Sequence, residues 1–556
     1  MEIKAKSNSV EALGPENAND VDVLIVGAGF AGLYNLYNLR KLGFNVLVVD
    51  AAGSVGGTWY WARYPGVRVD IESVEYSYSF SEELQQEWSW SERYPAPPEL
   101  LKYFSHVADR FDLRKNICLN TRVNSAVFDE AENKWTIETD TGRKIRATYC
   151  VMATGFLSAP NMPEFPGLDQ FKGETFHTAY WPQEDVDFSK KRVAVIGTGS
   201  SGVQCISEVG KNVGQMTVFQ RTPSFCVPLR NCPMPPEYEK SVKENYAEWR
   251  RLEREEAFGG FMACNFEPAE RIRTSALDAT PEERLALYED RYKSGGLAMY
   301  FVYPDVFRDK AANETLTKFL QDKIRERVND PELAELLVPK DYPALLRRLC
   351  ADTNYYETYN QDNVSLVDVR GGEIEFTETG ISLKGEEYEF DSVIFATGYD
   401  AMTGALTRID IRGTDGRQLK EHWEDGARTA LGMMSVGFPN MFFINGPGSP
   451  CPFYQPVLLG EDQGGWVGEW LTTMRDKELS RIEPTEELQD EWINHCTEVL
   501  NNSLFPLANS WYVGRNIPGK PAVGLAYVGE PSEYRRRCAE VLPSGFEGFK
   551  LSVLQS

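Results

Sequence analysis

The sequence has little of what metal centres and redox-active dithiols require. It contains 4 histidines and 10 cysteines in 556 residues, and no two cysteines form a Cys-x-x-Cys motif. Clustered Cys and His side chains build structural zinc sites, and Cys-x-x-Cys is a common redox-active pair. Scattered cysteines are typical of reduced thiols inside the cell. We therefore expect no metal site, no disulfide framework and a cytoplasmic location.

Positive charge is also scarce. Lys and Arg total 58 and Asp and Glu total 83, which gives a net charge of −25. A surface this acidic repels nucleic-acid backbones and anionic lipids, so it argues against both as partners. We expect small-molecule partners and a monomer or weak oligomer.

Long uninterrupted apolar segments are missing. Residues 429–460 carry no charge, but they include five prolines and five glycines, which excludes one membrane-spanning helix. This stretch predicts a buried strand and a loop. Residues 1–20 are polar and lack the apolar core of a signal peptide, so we expect a flexible leader.

What is present is a repeated strand–glycine–helix unit. Residues 21–33 (VDVLIVGAGFAGL) and 191–203 (KRVAVIGTGSSGV) each join an apolar strand to a GxGxxG motif, and a second apolar strand follows each unit. In such βαβ units the glycines permit a tight turn, close approach of a pyrophosphate and close helix packing. The sequence therefore predicts two dinucleotide sites.

The two units differ where the second strand ends. The first has Gly27, Gly29 and Gly32 and ends at Asp50, whose carboxylate suits ribose hydroxyls of either FAD or NAD. The second has Gly197, Gly199 and Gly202 and ends near Arg221 and Thr222. A guanidinium there favours the 2′-phosphate of NADP, although Arg221 could also be an ordinary surface arginine. The simplest assignment is FAD in the first unit and NADPH in the second.

The predicted fold class is α/β, with two Rossmann-like domains and a helical insertion. Strands ending in Ala-Thr-Gly occur at 148–156 and 391–400, and we interpret them as parts of the first nucleotide domain. The predicted FAD domain comprises 21–156 and 391–556, and the NADP domain comprises 157–234 and 338–390. Residues 235–337 show charged helical periodicity and form the predicted insertion into the NADP domain.

Two further motifs resemble a known family. The segment 171–182 (FKGETFHTAYWP) is similar to the FxGxxxHxxxW fingerprint of the Baeyer–Villiger monooxygenases, and its matching residues are Phe171, Gly173, His177 and Trp181. The family pattern GGxWxxxxYPGxxxD is matched by Gly56, Gly57, Trp59, Tyr64, Pro65, Gly66 and Asp70. The chain most resembles the phenylacetone and cyclohexanone monooxygenase group.

This resemblance implies an activity and roles for individual residues. NADPH would reduce FAD, and O2 would then form a flavin C4a-peroxide that converts a ketone into an ester or lactone, with water and NADP+ as the other products. Arg348 would be the catalytic cation and Asp70 its partner. Arg347, where the family usually has lysine, would bind the 2′-phosphate unless it is a plain surface cation. The family fingerprint would serve as a domain hinge.

The resemblance also extends to the cofactor and substrate contacts. The remaining FAD contacts would be Phe30, Ala31, Gly57, Thr58, Trp59, Arg68, Tyr76 and Val123, and those to NADP would include Thr198, Ser200, Ser201 and Trp511. Cys451, Phe453 and Tyr454 would line the substrate pocket. Two alternatives remain: a flavin monooxygenase that oxygenates amines or sulfides, and a non-catalytic flavoprotein.

Overall fold

The computed structural model describes residues 19–257 and 259–553, so the predicted leader lies almost entirely outside the described residues. The strands, in chain order, are β1 Asp20–Val26, β2 Val46–Val49, β3 Ile117–Cys118, β4 Val123–Asp129, β5 Lys134–Thr139, β6 Lys144–Met152, β7 Glu174–His177, β8 Arg192–Ile196, β9 Gln215–Gln220, β10 Cys226–Pro228, β11 Ala263–Cys264, β12 Glu267–Pro268, β13 Cys350–Asp352, β14 Val364–Asp368, β15 Glu375–Phe376, β16 Gly380–Leu383, β17 Glu386–Glu389, β18 Ser392–Phe395, β19 Asp410–Arg412, β20 Met441–Phe443, β21 Arg481–Pro484 and β22 Phe549–Ser552.

The α-helices connect and cover these strands. They are α1 Phe30–Lys41, α2 Thr58–Trp61, α3 Glu82–Glu87, α4 Pro97–Arg110, α5 Ser200–Val209, α6 Pro236–Glu244, α7 Tyr246–Glu255, α8 Pro281–Ser294, α9 Lys310–Arg327, α10 Pro331–Leu337, α11 Tyr355–Thr358, α12 Gly404–Thr407, α13 Leu419–His422, α14 Pro456–Asp476, α15 Glu486–Asn501 and α16 Pro531–Ala539. Within the described part of the chain, none has the length and apolar character needed to cross a bilayer.

The first sheet contains the first glycine motif. Its strand order is β19-β4-β5-β6-β1-β2-β3, with β20 also paired to β6. Strands β1, β2, β3 and β6 run parallel, and α1 and α14 pack on each other beside them. The central residues of β1 are apolar, as expected for a parallel strand whose two faces are both covered by other elements. The glycine loop lies at the carboxyl end of β1, where open α/β sheets bind ligands.

The second sheet is entirely parallel and contains the second glycine motif. Its order is β14-β9-β8-β18-β7, with β8 leading into the glycine loop and α5. The fold is therefore α/β with two Rossmann-like dinucleotide-binding units, as the sequence predicted.

The position of β18 corrects one domain boundary. We assigned the strand in 391–400 to the first domain, but β18 pairs in parallel with both β7 and β8 of the second sheet. Its Ala-Thr-Gly end supports the second glycine loop, whereas the similar segment after β6 supports the first. The second domain thus extends past residue 395, and the predicted boundary at 391 is wrong.

The insertion is helical as predicted, but it does not belong to the second domain alone. Tyr238 and Trp249, on α6 and α7, pack in the same core as β1 and α14 of the first domain. Tyr288 and Leu316, on α8 and α9, pack in the core that includes α5 and β9 of the second domain. The insertion consequently bridges the two nucleotide-binding units.

Candidate functional site

The first glycine loop leaves no room for larger side chains. A Cβ added at Gly27 would lie 2.3 Å from the carbonyl oxygen of Ala153, and one at Gly32 would lie 1.8 Å from the carbonyl oxygen of Gly27. Gly27 also has a φ of +110°, which L side chains rarely adopt. The turn, the strand and the start of α1 are therefore packed backbone against backbone.

The second glycine loop repeats these contacts. A Cβ added at Gly197 would lie 2.4 Å from the carbonyl oxygen of Ala396, and one at Gly202 would lie 2.2 Å from the carbonyl oxygen of Gly197. Gly199 differs because nothing lies within 4 Å of its added Cβ. Open space at the N-terminus of α5, where backbone N–H groups point outwards, fits the pyrophosphate of a dinucleotide. Ser200 and Ser201 form the first turn of this helix, and the Thr198 hydroxyl donates to the carbonyl oxygen of Thr222.

Asp50 is fixed at the carboxyl end of β2. Its Oδ2 accepts from the N–H of Ala28 at 2.5 Å, and its Oδ1 accepts from the N–H of Ala52 at 2.7 Å. Burial raises the pKa of Asp50, and these two backbone hydrogen bonds oppose that shift. Each carboxylate oxygen can accept a further bond, so the group fits the ribose of the first dinucleotide.

Arg347 and Arg221 lie close enough to repel each other. The pKa of Arg347 is lowered mainly by burial and also by the charge of Arg221, while Tyr342 acts in the opposite direction. The Arg347 guanidinium lies 4.7 Å from the centre of the Tyr342 ring and donates to the carbonyl oxygen of Asn509. Two converging guanidinium groups fit a doubly charged phosphate, which would remove their repulsion.

Arg348 and Asp70 are joined, as the sequence predicted. Arg348 Nη2 and Nε both donate to Asp70 Oδ2, at 2.7 Å and 3.1 Å. Burial alone would lower the pKa of Arg348, but Asp70, Tyr300 and Tyr512 together outweigh burial and the pKa is raised. The side chains of Arg348 and Asp70 remain 24% and 27% exposed. The guanidinium is therefore held permanently charged while part of it still faces open space.

Two tyrosines beside Arg348 were not predicted. Tyr300, from the insertion, accepts a hydrogen bond from the N–H of Leu349 at 3.3 Å, and both Tyr300 and Tyr512 interact electrostatically with Arg348. Tyr512 follows Trp511 directly, so the resemblance around Trp511 could have indicated it. No motif or periodicity in the insertion marks Tyr300.

An aromatic cluster extends from this centre. Phe453 lies 4.5 Å from Tyr512 and 5.0 Å from Phe505 between ring centres, and Trp511 lies 4.5 Å from Tyr512. Burial raises the pKa of the Cys451 thiol well above its ordinary value. The charge of Arg348 opposes this shift, so Arg348 lies near the thiol. Cys451 and Phe453 therefore lie by the predicted centre.

Tyr454 does not join them. Its ring is fully buried, and its hydroxyl accepts from Arg535 Nη1 at 3.4 Å, next to Asp462 on α14. Neighbouring side chains in this loop point in different directions, and the role of Tyr454 in the substrate pocket stays a prediction.

Several predicted FAD contacts surround the first loop. Phe30 and Ala31 begin α1, and the Phe30 ring lies 5.2 Å from that of Tyr76. Trp59 Nε1 donates to the Tyr76 hydroxyl at 3.3 Å, and Gly57 approaches Gly29 closely enough that a Cβ on Gly29 would lie 3.3 Å from the Gly57 Cα. Thr58 begins α2 directly after Gly57. These residues form one surface beside the loop.

Two other predicted FAD contacts are engaged elsewhere. Arg68 pairs with Glu92 and donates to the carbonyl oxygen of Tyr94 at 3.0 Å. Val123 begins β4 and is buried in a core on the sheet. Their cofactor roles stay predictions.

The family fingerprint forms a packed connection to the second sheet. His177 Nδ1 accepts from the N–H of Ala179 at 3.0 Å, so Nε2 carries the proton and donates to Thr397 Oγ1 at 3.1 Å. Burial lowers the pKa of His177, which favours the neutral ring. Phe171 packs on Phe376, and Trp181 packs on Phe176. Gly173 lies against the Phe171 ring. His177 thus connects β7 to the Ala-Thr-Gly turn, and its hinge role stays a prediction.

Comparisons with known proteins agree with this arrangement. A family model described as pyridine nucleotide-disulphide oxidoreductase matches residues 24–248. The acetone monooxygenase (methyl acetate-forming) of Gordonia sp. (strain TY-5) is 41% identical, over 96% of this chain and 99% of that protein. A Baeyer-Villiger monooxygenase of Pseudooceanicola batsensis is 41% identical over 95% of each chain.

A third relative has a different named activity. The phenazine N-monooxygenase PhzNO1 of Lysobacter antibioticus is 40% identical, over 95% of this chain and 97% of that protein. Among solved structures, the OTEMO complex with FAD and NADP has a TM-score of 0.91 and 38% identity, covering 96% of this chain and 99% of that one. The likeness therefore covers both sheets and the insertion.

Proposed function

This chain belongs to the FAD- and NADPH-dependent Baeyer–Villiger monooxygenases, which convert ketones into esters or lactones, and we propose that its catalytic pair is Arg348 and Asp70. The observation that carries this proposal is the pair's geometry. Both Arg348 bonds go to one Asp70 oxygen, and three of the five guanidinium N–H groups remain for other partners.

The chain's own residues fit both cofactors. Asp50 and the first glycine loop would hold FAD, while Gly199, Arg221 and Arg347 would hold the phosphates of NADPH. When bound, FAD and NADPH supply the reducing equivalents and the activation of O2. The overall reaction consumes ketone, O2, NADPH and a proton, and it yields ester or lactone, water and NADP+.

Arg348 would act on the charge that develops during oxygen insertion. As the carbonyl carbon of the ketone becomes tetrahedral, its oxygen gains negative charge, and a fixed cation stabilises that charge without reorganising. Asp70 would hold the guanidinium in one orientation and keep it protonated. Because Arg348 is always charged, it would stabilise this state without exchanging a proton with the substrate.

The side chains near the pair favour an apolar ketone. Phe453, Tyr512, Phe505 and Trp511 offer ring faces and edges, and Cys451 adds a small apolar group. We expect cyclic or aryl ketones to react with a higher kcat/KM than short polar ketones. A panel of cyclic, aryl and long-chain ketones would rank them, and equal rates for all would contradict this preference.

The variant Arg348→Ala tests the catalytic pair. Reduction of FAD by NADPH should continue, while ester formation should fall by about 100- to 1000-fold, as expected when a group that stabilises developing charge is lost. Stopped-flow absorbance measures the first step and product mass the second. Arg412→Ala, which removes an exposed arginine paired with Asp410, is the control. Normal ketone turnover by Arg348→Ala would overturn the assignment.

The similarity to the phenazine N-monooxygenase supports heteroatom oxygenation as a second candidate activity. Incubation with one ketone and one sulfide of similar size would compare the two. We expect ester from the ketone as the main product and sulfoxide as a side product. Sulfoxide without ester would favour heteroatom oxygenation as the main activity.

We also propose that the enzyme works in the cytoplasm as a monomer or weak oligomer and binds no nucleic acid. The net charge of −25 and the unpaired cysteines support this. Light scattering of the purified holoenzyme should give the mass of one chain, and a stable tetramer would contradict the proposal.

A further inference from the structure

Two buried cysteines face each other on neighbouring strands. Strands β10 and β13 pair in parallel, and Cys226 is the register partner of Cys350. Adjacent strands lie about 4.8 Å apart, within the Cα separation that disulfides span. Both cysteines are free and buried, and their thiols are close enough for each to shift the pKa of the other.

The two thiols have different acidities. The neighbouring Cys226 thiol lowers the pKa of Cys350, and Ser200, Ser224 and Arg348 lower it further against the effect of burial. Burial raises the pKa of Cys226 well above its ordinary value, and Cys350 adds to that shift. Cys350 is therefore the thiol that ionises first, and a thiolate is the reactive form.

Cys350 also lies directly below the second nucleotide loop. Its sulfur is 3.5 Å from the hydroxyl of Ser200, which is exposed at the start of α5. On its other side, the thiol donates to the carbonyl oxygen of Arg348 at 3.8 Å. A nucleotide bound on α5 would cover Ser200 and with it this approach to the thiol.

We propose that hydrogen peroxide oxidises Cys226 and Cys350 to a reversible disulfide with each other, and that bound NADP shields the two thiols from peroxide. The Cys350 thiolate attacks one peroxide oxygen, breaks the O–O bond and becomes a sulfenic acid, and the released hydroxide takes up a proton to form water. The Cys226 thiol then attacks that sulfur, its proton leaves with the departing hydroxide as a second water, and the S–S bond forms. Two thiols are oxidised and one peroxide is reduced to two waters.

The expected consequence concerns the nucleotide site. A bond between the sulfurs removes the contact of Cys350 with Arg348, and it fixes the strand that directly follows Arg347 and Arg348. We expect the KM for NADPH of the oxidised enzyme to rise about tenfold, since small displacements of binding groups cost that much or more. Dithiothreitol should restore it. An unchanged KM in protein shown to carry the disulfide would overturn this consequence.

Peptide mapping of the holoenzyme tests the proposal directly. Trypsin releases residues 222–230 (TPSFCVPLR) and 349–370 (LCADTNYYETYNQDNVSLVDVR), each with one cysteine. After peroxide treatment, the two peptides should be found cross-linked, two hydrogens lighter than their sum, and separate again after dithiothreitol. Saturating NADP+ should slow the cross-link severalfold. Two free thiols after treatment, or pairing with other cysteines, would overturn the proposal, and equal rates with NADP+ would overturn the shielding.

Three variants separate the steps. In Cys226→Ser, Cys350 should accumulate as a sulfenic acid that dimedone traps, because its resolving thiol is gone. In Cys350→Ser, Cys226 should stay reduced. Cys205→Ser, which changes a buried cysteine on α5, is the control and should cross-link as the wild type does. Dimedone labelling of Cys226 rather than Cys350 would reverse the assigned roles.

Discussion

At the residue scale, three arginines share one region with different partners. Arg348 has a carboxylate partner, whereas Arg221 and Arg347 have each other's charge nearby. A cation paired with a carboxylate is fixed in place, whereas two cations that repel each other are suited to an incoming phosphate. In the proposed mechanism, the neighbouring arginines 347 and 348 would therefore have separate roles, one in binding NADPH and one in catalysis.

Nucleotide preference tests the role of Arg221. Arg221→Ala should raise the KM for NADPH by about 10- to 100-fold, the effect of losing one or two charge-assisted hydrogen bonds. The KM for NADH should change by less than about twofold, because NADH lacks the 2′-phosphate. Steady-state kinetics with both nucleotides measure the ratio. Arg230→Ala, another exposed arginine near β10, is the control, and an equal loss with NADPH and NADH would contradict the assignment.

The buried His177 gives a pH prediction. In the folded protein the pKa of His177 lies below its usual value of about 6.5. As the pH falls, the unfolded chain therefore takes up a proton at this histidine at a higher pH than the folded chain does. The free energy of unfolding should therefore fall as pH drops from 7 to 5. His177→Gln cannot titrate and should lose less stability over this range. Denaturant unfolding at both pH values measures the difference, and identical pH dependence in both proteins would contradict it.

At the element scale, the sequence predicted the strands and glycine loops better than their pairing. The βαβ units around Gly27 and Gly197 were predictable because turn geometry and close packing restrict these positions to glycine. The two Ala-Thr-Gly strands look alike in sequence, and nothing in their composition specifies which glycine loop each supports. The pairing of β18 with β7 and β8 in the second sheet separates them.

Helix α7 of the insertion is held to the first domain by the buried guanidinium of Arg250, which also pairs with Glu253 on the same helix. Arg250 donates to Glu253 at 2.8 Å and to the carbonyl oxygen of Glu75 at 3.0 Å, and the side chains of Arg250 and Glu253 are 6% and 0% exposed. Periodicity predicted the helix, but its charged residues indicated a solvated face. The burial of this pair could not be read from the sequence because it depends on contacts with distant segments.

A pair of neighbouring substitutions tests this contact. Arg250→Ala leaves Glu253 buried without its partner and should lower the free energy of unfolding by about 3–5 kcal/mol. Arg251→Ala removes exposed pairs with Glu248 and Glu255, which solvent screens, and should lower the free energy of unfolding far less. Denaturant unfolding compares them. Equal losses would show that the buried Arg250 does not hold α7 in place.

At the scale of the whole molecule, the proposed centre is assembled from distant segments. Asp70 comes from the first nucleotide domain, Arg348 from the second, Tyr300 from the insertion and Tyr512 from the C-terminal segment. Family motifs indicated Asp70 and Arg348, while Tyr300 became visible only when the insertion packed against Leu349. If oxygen is inserted at the proposed centre, the reaction would depend on the packing of all four parts.

Isotope incorporation tests the central claim most directly. Purified holoenzyme would be supplied with NADPH, a cyclic ketone and O2 enriched in the heavy oxygen isotope, and the product analysed by mass spectrometry. We predict a lactone with one heavy oxygen at the ring position and the original oxygen in the carbonyl group. NADPH consumption that yields no labelled lactone from any ketone tested would contradict Baeyer–Villiger oxygenation by this protein.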